Sequence, residues 1–218
     1  MKYYTLTNST NLKEIGYFIQ TIGSIDANGQ DVKGINSRVK LNQFTFPSFV
    51  PDLRFKLENK AILTDVISTS NIHAKGFLIS NGFKNLLFDF NIIEHKFYPS
   101  SVIANNISYD YYWLHLVKNN FNGIDFSNST FYNTAIFGSR LTRITISSYD
   151  DYIEQCKRIS NLNRIVVTKL VLTESFLSMN YDLFFFPYIH DFVIASEELI
   201  STIKKHKISG LTWEVTDF

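Results

Sequence analysis

The chain has 218 residues, 45% of them hydrophobic and 16% aromatic, with 21 basic against 20 acidic side chains. That apolar content excludes a disordered chain, and a charge balance of +1 without blocks of like charge gives no electrostatic footprint for nucleic acid. A single cysteine, Cys156, excludes an intramolecular disulfide and fits a reducing compartment.

Residues 1–60 are expected to form an irregular N-terminal part packed on the core, ahead of one compact α+β domain over 61–218. Tyr3 to Thr7 suits a short strand. Leu12, Ile15, Ile19 and Ile22 have helical spacing, with Asn11 and Glu14 placed as a capping pair. Asp26-Ala27-Asn28-Gly29 is a turn signal. Phe44 to Pro51 is aromatic and broken by prolines, which predicts irregular structure packed on the core.

The periodicity sharpens after residue 61. Phe77 to Ser80 predicts a buried strand ending in a helix cap, and Phe83, Leu86, Leu87 and Phe90 follow at helical spacing. Ile92 to Tyr98 returns to strand character, and Tyr109 to Val117 is a long aromatic strand. Asn122-Gly123 marks a turn before a further strand at Ile124-Asp125-Phe126. Arg143 to Ser147 alternates as a strand. Ser147 or Ser148 then caps a helix to about Ser160, acidic early and basic late, as the helix dipole favours. Its stripe of Tyr149, Tyr152, Ile153, Cys156 and Ile159 predicts that Cys156 faces inward as a small core residue. Strands are expected at Arg164 to Thr173, Leu183 to Phe186, Phe192 to Ile194 and Ile208 to Val215, with a helix capped by Ser196 running to about His206.

The pattern as a whole reads as α+β: a mixed or mostly antiparallel sheet with about three helices. A weak repeat runs through it. Phe77-Leu78-Ile79 parallels Phe192-Val193-Ile194. After one extra residue in the second copy, Phe83 matches Leu199, Leu87 matches Ile203, Ile92 matches Ile208 and Phe97 matches Trp213. Two similar strand–helix–strand lobes would produce this likeness, and so would a chance match of short apolar runs.

Sequence spacing offers no catalytic, cofactor or metal signature. The five histidines form no His-x-x-x-His pair, the lone cysteine cannot build a thiolate zinc site, and no glycine-rich run opens a helix. Glu94-His95 and His190-Asp191 are adjacent pairs whose members point to opposite faces of a strand. The N-terminus lacks the apolar run of a signal peptide, and no stretch approaches the ~18–20 apolar residues of a membrane-spanning helix. The expectation is a cytoplasmic chain without membrane, nucleic acid or cofactor.

The strand from Tyr109 puts Tyr109, Tyr111, Trp113 and His115 on one face, and Tyr and Trp are favoured interface anchors. A mixed core covering both faces is the plainer explanation. Tyr109, Tyr111 and Trp113, with Asp125 nearby in sequence, are the candidate partner-binding residues.

Leu63 to Ser68, Gly76 to Ser80, Glu94 to Pro99, Tyr111 to His115, Ile124 to Phe131 and Phe192 to Ser196 occur in an order that resembles the immunity proteins 43 and 11 of bacterial polymorphic toxin systems. The similarity covers residues 61–215. It implies a cytoplasmic protein without catalytic residues that binds and blocks a cognate protein toxin encoded beside it, and it does not name the toxin's activity. Two other classes stay open: a small hydrolase using Asp125, His115 or His190, and a structural or scaffold protein. The oligomeric state is open as well.

Overall fold

The computed structural model describes residues 2–24, 40–70, 72–118, 123–135, 140–160, 162–187 and 189–216. In chain order the elements are β1 (Tyr3–Asn8), α1 (Leu12–Ile15), β2 (Thr21–Ser24), β3 (Arg54–Leu57), β4 (Val66–Ile67), β5 (Lys75–Ser80), α2 (Asn81–Leu87), β6 (His95–Ala104) and β7 (Ile107–Leu116). Then come β8 (Thr130–Ala135), β9 (Arg140–Ile144), α3 (Tyr149–Arg158), β10 (Asn163–Lys169), α4 (Glu174–Leu177), β11 (Leu183–Phe186), β12 (His190–Ser196), α5 (Glu197–Lys205) and β13 (Leu211–Thr216). The architecture is α+β with mostly antiparallel pairing, β3 with β6 being parallel. Five short helices are described rather than about three, because α1 and α4 are single turns of four residues.

Three sheets are built, in the orders β2-β3-β6-β7-β5-β4, β11-β12-β1-β13 and β10-β8-β9. The first two share one plan. In the larger, β5 leads through α2 to β6, and β7 is inserted antiparallel between them. In the smaller, β12 leads through α5 to β13, and β1 is inserted antiparallel between them. A short antiparallel strand flanks each first strand, β4 on β5 and β11 on β12. The expected strand–helix–strand likeness is therefore present in both segments.

Its register differs from the sequence alignment in the first strand. Ser80 and Ser196 are the N-caps of α2 and α5, accepting from Phe83 N–H and Leu199 N–H. Counting back from these serines, Phe77 corresponds to Val193, both buried, and Gly76 to the exposed Phe192. The match needs no extra residue after the strand. Runs of three apolar residues align equally well one step out of register, and only the caps fix the step.

The first sixty residues are more ordered than expected. β1 sits at the centre of the four-stranded sheet, with Tyr3 and Leu6 in the main core. The helical spacing from Leu12 is cut short at Ile15, because Gly16 takes φ 73° with its α-carbon face against the Lys60 carbonyl. Residues 40–53 do match the expected irregular packing, and they bury Leu41 and Leu53 against one face of the six-stranded sheet. The strand expected at 124–126 reduces to an isolated bridge from Ile124 to Leu172. The Asp125 carboxylate takes hydrogen bonds from Ser127 Oγ and from both the backbone and side-chain nitrogens of Asn128, which turns the chain there. The turn signal at Asp26 to Gly29 and Asn122 lie outside the described residues.

The two lobes are joined by reciprocal hydrogen bonds. In the first, Asp65 Oδ1 accepts from the cap hydroxyl of Ser80 at 2.9 Å, and Oδ2 accepts from Ser209 N–H at 3.0 Å and Ser209 Oγ at 2.9 Å. In the second, Asp182 Oδ1 accepts from the cap hydroxyl of Ser196 at 2.6 Å, and Oδ2 accepts from Asn91 N–H at 2.9 Å. Ser209 stands just before β13 and Asn91 just before β6, so each carboxylate spans its own cap and the opposite lobe. Backbone bonds run alongside, Val66 N–H to the Ser209 carbonyl and Ile93 N–H to the Leu183 carbonyl. Asp65→Ala and Asp182→Ala are each expected to destabilise the fold by about 1.5–3 kcal/mol, the range for hydrogen bonds to a charged group. Asp110→Ala, on an exposed position, should stay within ~0.5 kcal/mol. Urea denaturation of the three variants checks this.

Candidate binding groove

Helices α2 and α5 bury one face each: Phe83 and Leu87 from α2, and Leu199, Ile200 and Ile203 from α5. Their outer flanks leave an open cavity of about 570 Å³ between them. Equivalent positions of the two lobes line it: Gly82 with Glu198, Leu86 with Thr202, Phe90 with His206. Equivalent positions of the two lobes therefore meet in the groove, but the residues at those positions differ. The α2 side brings Leu86 and Phe90 with Asp89 between them in sequence, and the α5 side brings Glu198, Thr202 and His206 with Ile208. An amphipathic segment fits such walls, with apolar side chains on Leu86 and Phe90 and a basic group toward Glu198 or Asp89. Sequence reading missed this site because its residues come from two helices that only the pairing of the lobes brings together.

The strand-borne candidates are placed differently. Tyr109 is 37% exposed near the β6–β7 turn. Tyr111 and Trp113 are buried at 5% and 4%, in a second core beneath residues 40–53. The Tyr111 hydroxyl donates to the Thr64 carbonyl at 2.6 Å, and burial raises its pKa above the ordinary tyrosine value. The plainer expectation, a core that covers both faces of the strand, holds for Tyr111 and Trp113, and Tyr109 is the candidate of the strand that stays exposed. Asp125 lies elsewhere, its N–H bonded to the Val171 carbonyl and its carboxylate held below its usual range by Ser127 and Asn128.

Of the groups weighed for hydrolysis, Asp125 is committed to its own turn. His115 is fully buried, its pKa lowered first by burial and also by Lys96, against the hydrogen bond to Asn42. The side chain of His190 lies outside those described. Among the described residues no group of three His, Cys, Asp or Glu side chains could hold a metal ion. No described helix is long and apolar enough to cross a membrane.

Cys156 does not face inward as its stripe predicts; it is exposed. Burial on α3 centres on Tyr152, which packs on Phe131, and the residues from Cys156 to Arg158 are all exposed. Partial desolvation still pushes the thiol above its ordinary pKa. Native protein should therefore be labelled to completion by a small thiol reagent, faster as pH rises, without unfolding.

Lys118 is 6% exposed, with its ammonium 5.0 Å from the Phe176 ring centre and 5.1 Å from that of Phe186. Burial pulls its pKa down to about 8 from 10.5. The unfolded chain keeps this proton up to its higher pKa, so unfolding takes up a proton between these values, and stability rises with pH through that window. Between about pH 8 and pH 10, wild type should gain about 1–2 kcal/mol relative to Lys118→Met, as read by denaturant midpoints.

No family model and no curated protein matches the chain.

Proposed function

We propose that this chain is an immunity protein: a cytoplasmic, non-catalytic binder that neutralises a cognate bacterial toxin by forming a stoichiometric complex. The likeness of residues 61–215 to immunity proteins supports this reading, and the groove between α2 and α5 is the observation that carries its location. The groove is open, lies between α2 and α5, and combines the apolar Leu86 and Phe90 with the acidic Asp89 and Glu198. A toxin segment with an apolar face and a basic residue suits it. A stable complex buries at least ~1,000 Å², so the surface around the groove belongs to the interface too, including the exposed Phe88 beside Lys84.

The test is co-expression with the toxin encoded next to this gene. Growth rescue with a one-to-one complex is expected, and rescue by strongly substoichiometric protein would point to an enzyme instead. Within the complex, Leu86→Arg and Glu198→Lys should each weaken binding by about 2 kcal/mol or more, as central interface positions do. Glu154→Lys, on the exposed face of α3, should leave affinity unchanged. Full affinity in both groove variants would remove the groove from the interface, and the absence of any complex with neighbouring gene products would contradict the immunity function.

A further inference from the structure

The second core holds three polar atoms with no hydrogen-bond partner: the Tyr98 hydroxyl, Trp113 Nε1 and His115 Nδ1. Their residues are 8%, 4% and 0% exposed. Native proteins leave few buried polar groups unpaired, so three in one place require an explanation.

They are neighbours on one face of the six-stranded sheet. Tyr98 and Trp113 are direct partners across β6 and β7, and His115 lies two residues beyond Trp113 on the same face. The rings of Tyr98 and His115 are 5.9 Å apart, tilted by 44°. Gly76 is the partner of His115 on β5, and a Cβ there would stand 3.3 Å from Trp113 Cζ2. Cζ2 and Nε1 are bonded to the same ring carbon, so the indole edge that bears the N–H lies beside Gly76, the cross-strand partner of His115.

Their hydrogen-bonding roles are fixed by chemistry. His115 Nε2 lies 2.7 Å from the Asn42 carbonyl, which can only accept, so Nε2 carries the hydrogen and Nδ1 presents a lone pair. Trp113 can only donate, and Tyr98 can do either. The neighbouring charge is Lys96, the register partner of His115, whose ammonium sits 4.5 Å from the Phe46 ring centre. A cation is disfavoured by Lys96 and the indole N–H, and an anion by the Nδ1 lone pair. Leu41, Leu53 and Leu78 are buried in the same core. One small neutral molecule with hydrogen-bonding capacity on three sides answers all three groups, and buried waters average about three such bonds.

We propose that Tyr98, Trp113 and His115 form a buried binding site for a single water molecule, which accepts from the indole, donates to the imidazole and completes its valence on the tyrosine hydroxyl. Through His115 and Asn42 this water ties the central sheet to the irregular segment over it. A crystal structure that shows ordered solvent should place one water within ~2.7–3.2 Å of all three atoms. Oxygen-17 relaxation dispersion in solution should record a long-lived water that is lost in Trp113→Phe. In Tyr98→Phe, which keeps two of the three bonds, its residence time should fall roughly tenfold. Folding of both variants is checked by circular dichroism, and if Trp113→Phe fails to fold the wild-type water and the Tyr98→Phe residence time decide. A wild-type crystal structure without solvent in reach of these atoms, or one in which they pair with protein groups, would overturn the proposal.

Discussion

Two carboxylates, Asp65 and Asp182, set how the two lobes meet over the apolar core they share. Each does three things at once: it fixes the hydroxyl that caps its own lobe's helix, starts its own lobe's flanking strand, and receives a backbone N–H from the opposite lobe. Hydrogen bonds to a charged acceptor are stronger than neutral ones, and these hold the backbone amides of Ser209 and Asn91 from the opposite lobe. The remaining order follows. With Ser80 and Ser196 fixed, α2 and α5 start at set points, and their apolar faces enter the common core. With Asn91 and Ser209 fixed, β6 and β13 start at set points as well. Glu14 adds to the lock on one side, accepting from Gly210 N–H at 2.7 Å and Ser9 Oγ at 2.7 Å.

The groove is a product of that geometry. Helices α2 and α5 bring matching positions of the two lobes to one groove, and those positions differ in chemistry, Leu86 and Phe90 standing where the other lobe has Thr202 and His206. A binder built this way recognises an amphipathic partner by the difference between its halves. The same frame leaves the opposite face of the larger sheet to be closed by residues 40–53. That is why Trp113 and Tyr111 serve the interior.

Local patterns in the sequence were sufficient for β5, α2, β7, α3, β12 and α5, where serine caps and alternation are strong. They also marked Tyr3 to Thr7 as a strand, but not its place at the centre of a sheet, because its partners lie near the other end of the chain. The aromatic face of β7 could be read correctly as a face, but its burial depended on a segment with no periodicity of its own. Cys156 shows the same limit, since a helical stripe states which side faces inward and not how far along the helix the sheet extends. The roles of Asp65 and Asp182 were not legible, because each carboxylate crosses to the other lobe, which is a tertiary fact. The groove, likewise, exists only once the lobes are paired.

Reciprocal bonding should make the two lobes one cooperative unit. Native-state hydrogen exchange under mild denaturant is the measurement that decides, because amides in one cooperative unit open with one free energy. The amides of Val66 and Ser80 in the first lobe, and of Asp182 and Ser196 in the second, should converge on a single opening free energy equal to that of global unfolding. Two separate values, with one lobe opening while the other stays protected, would contradict it.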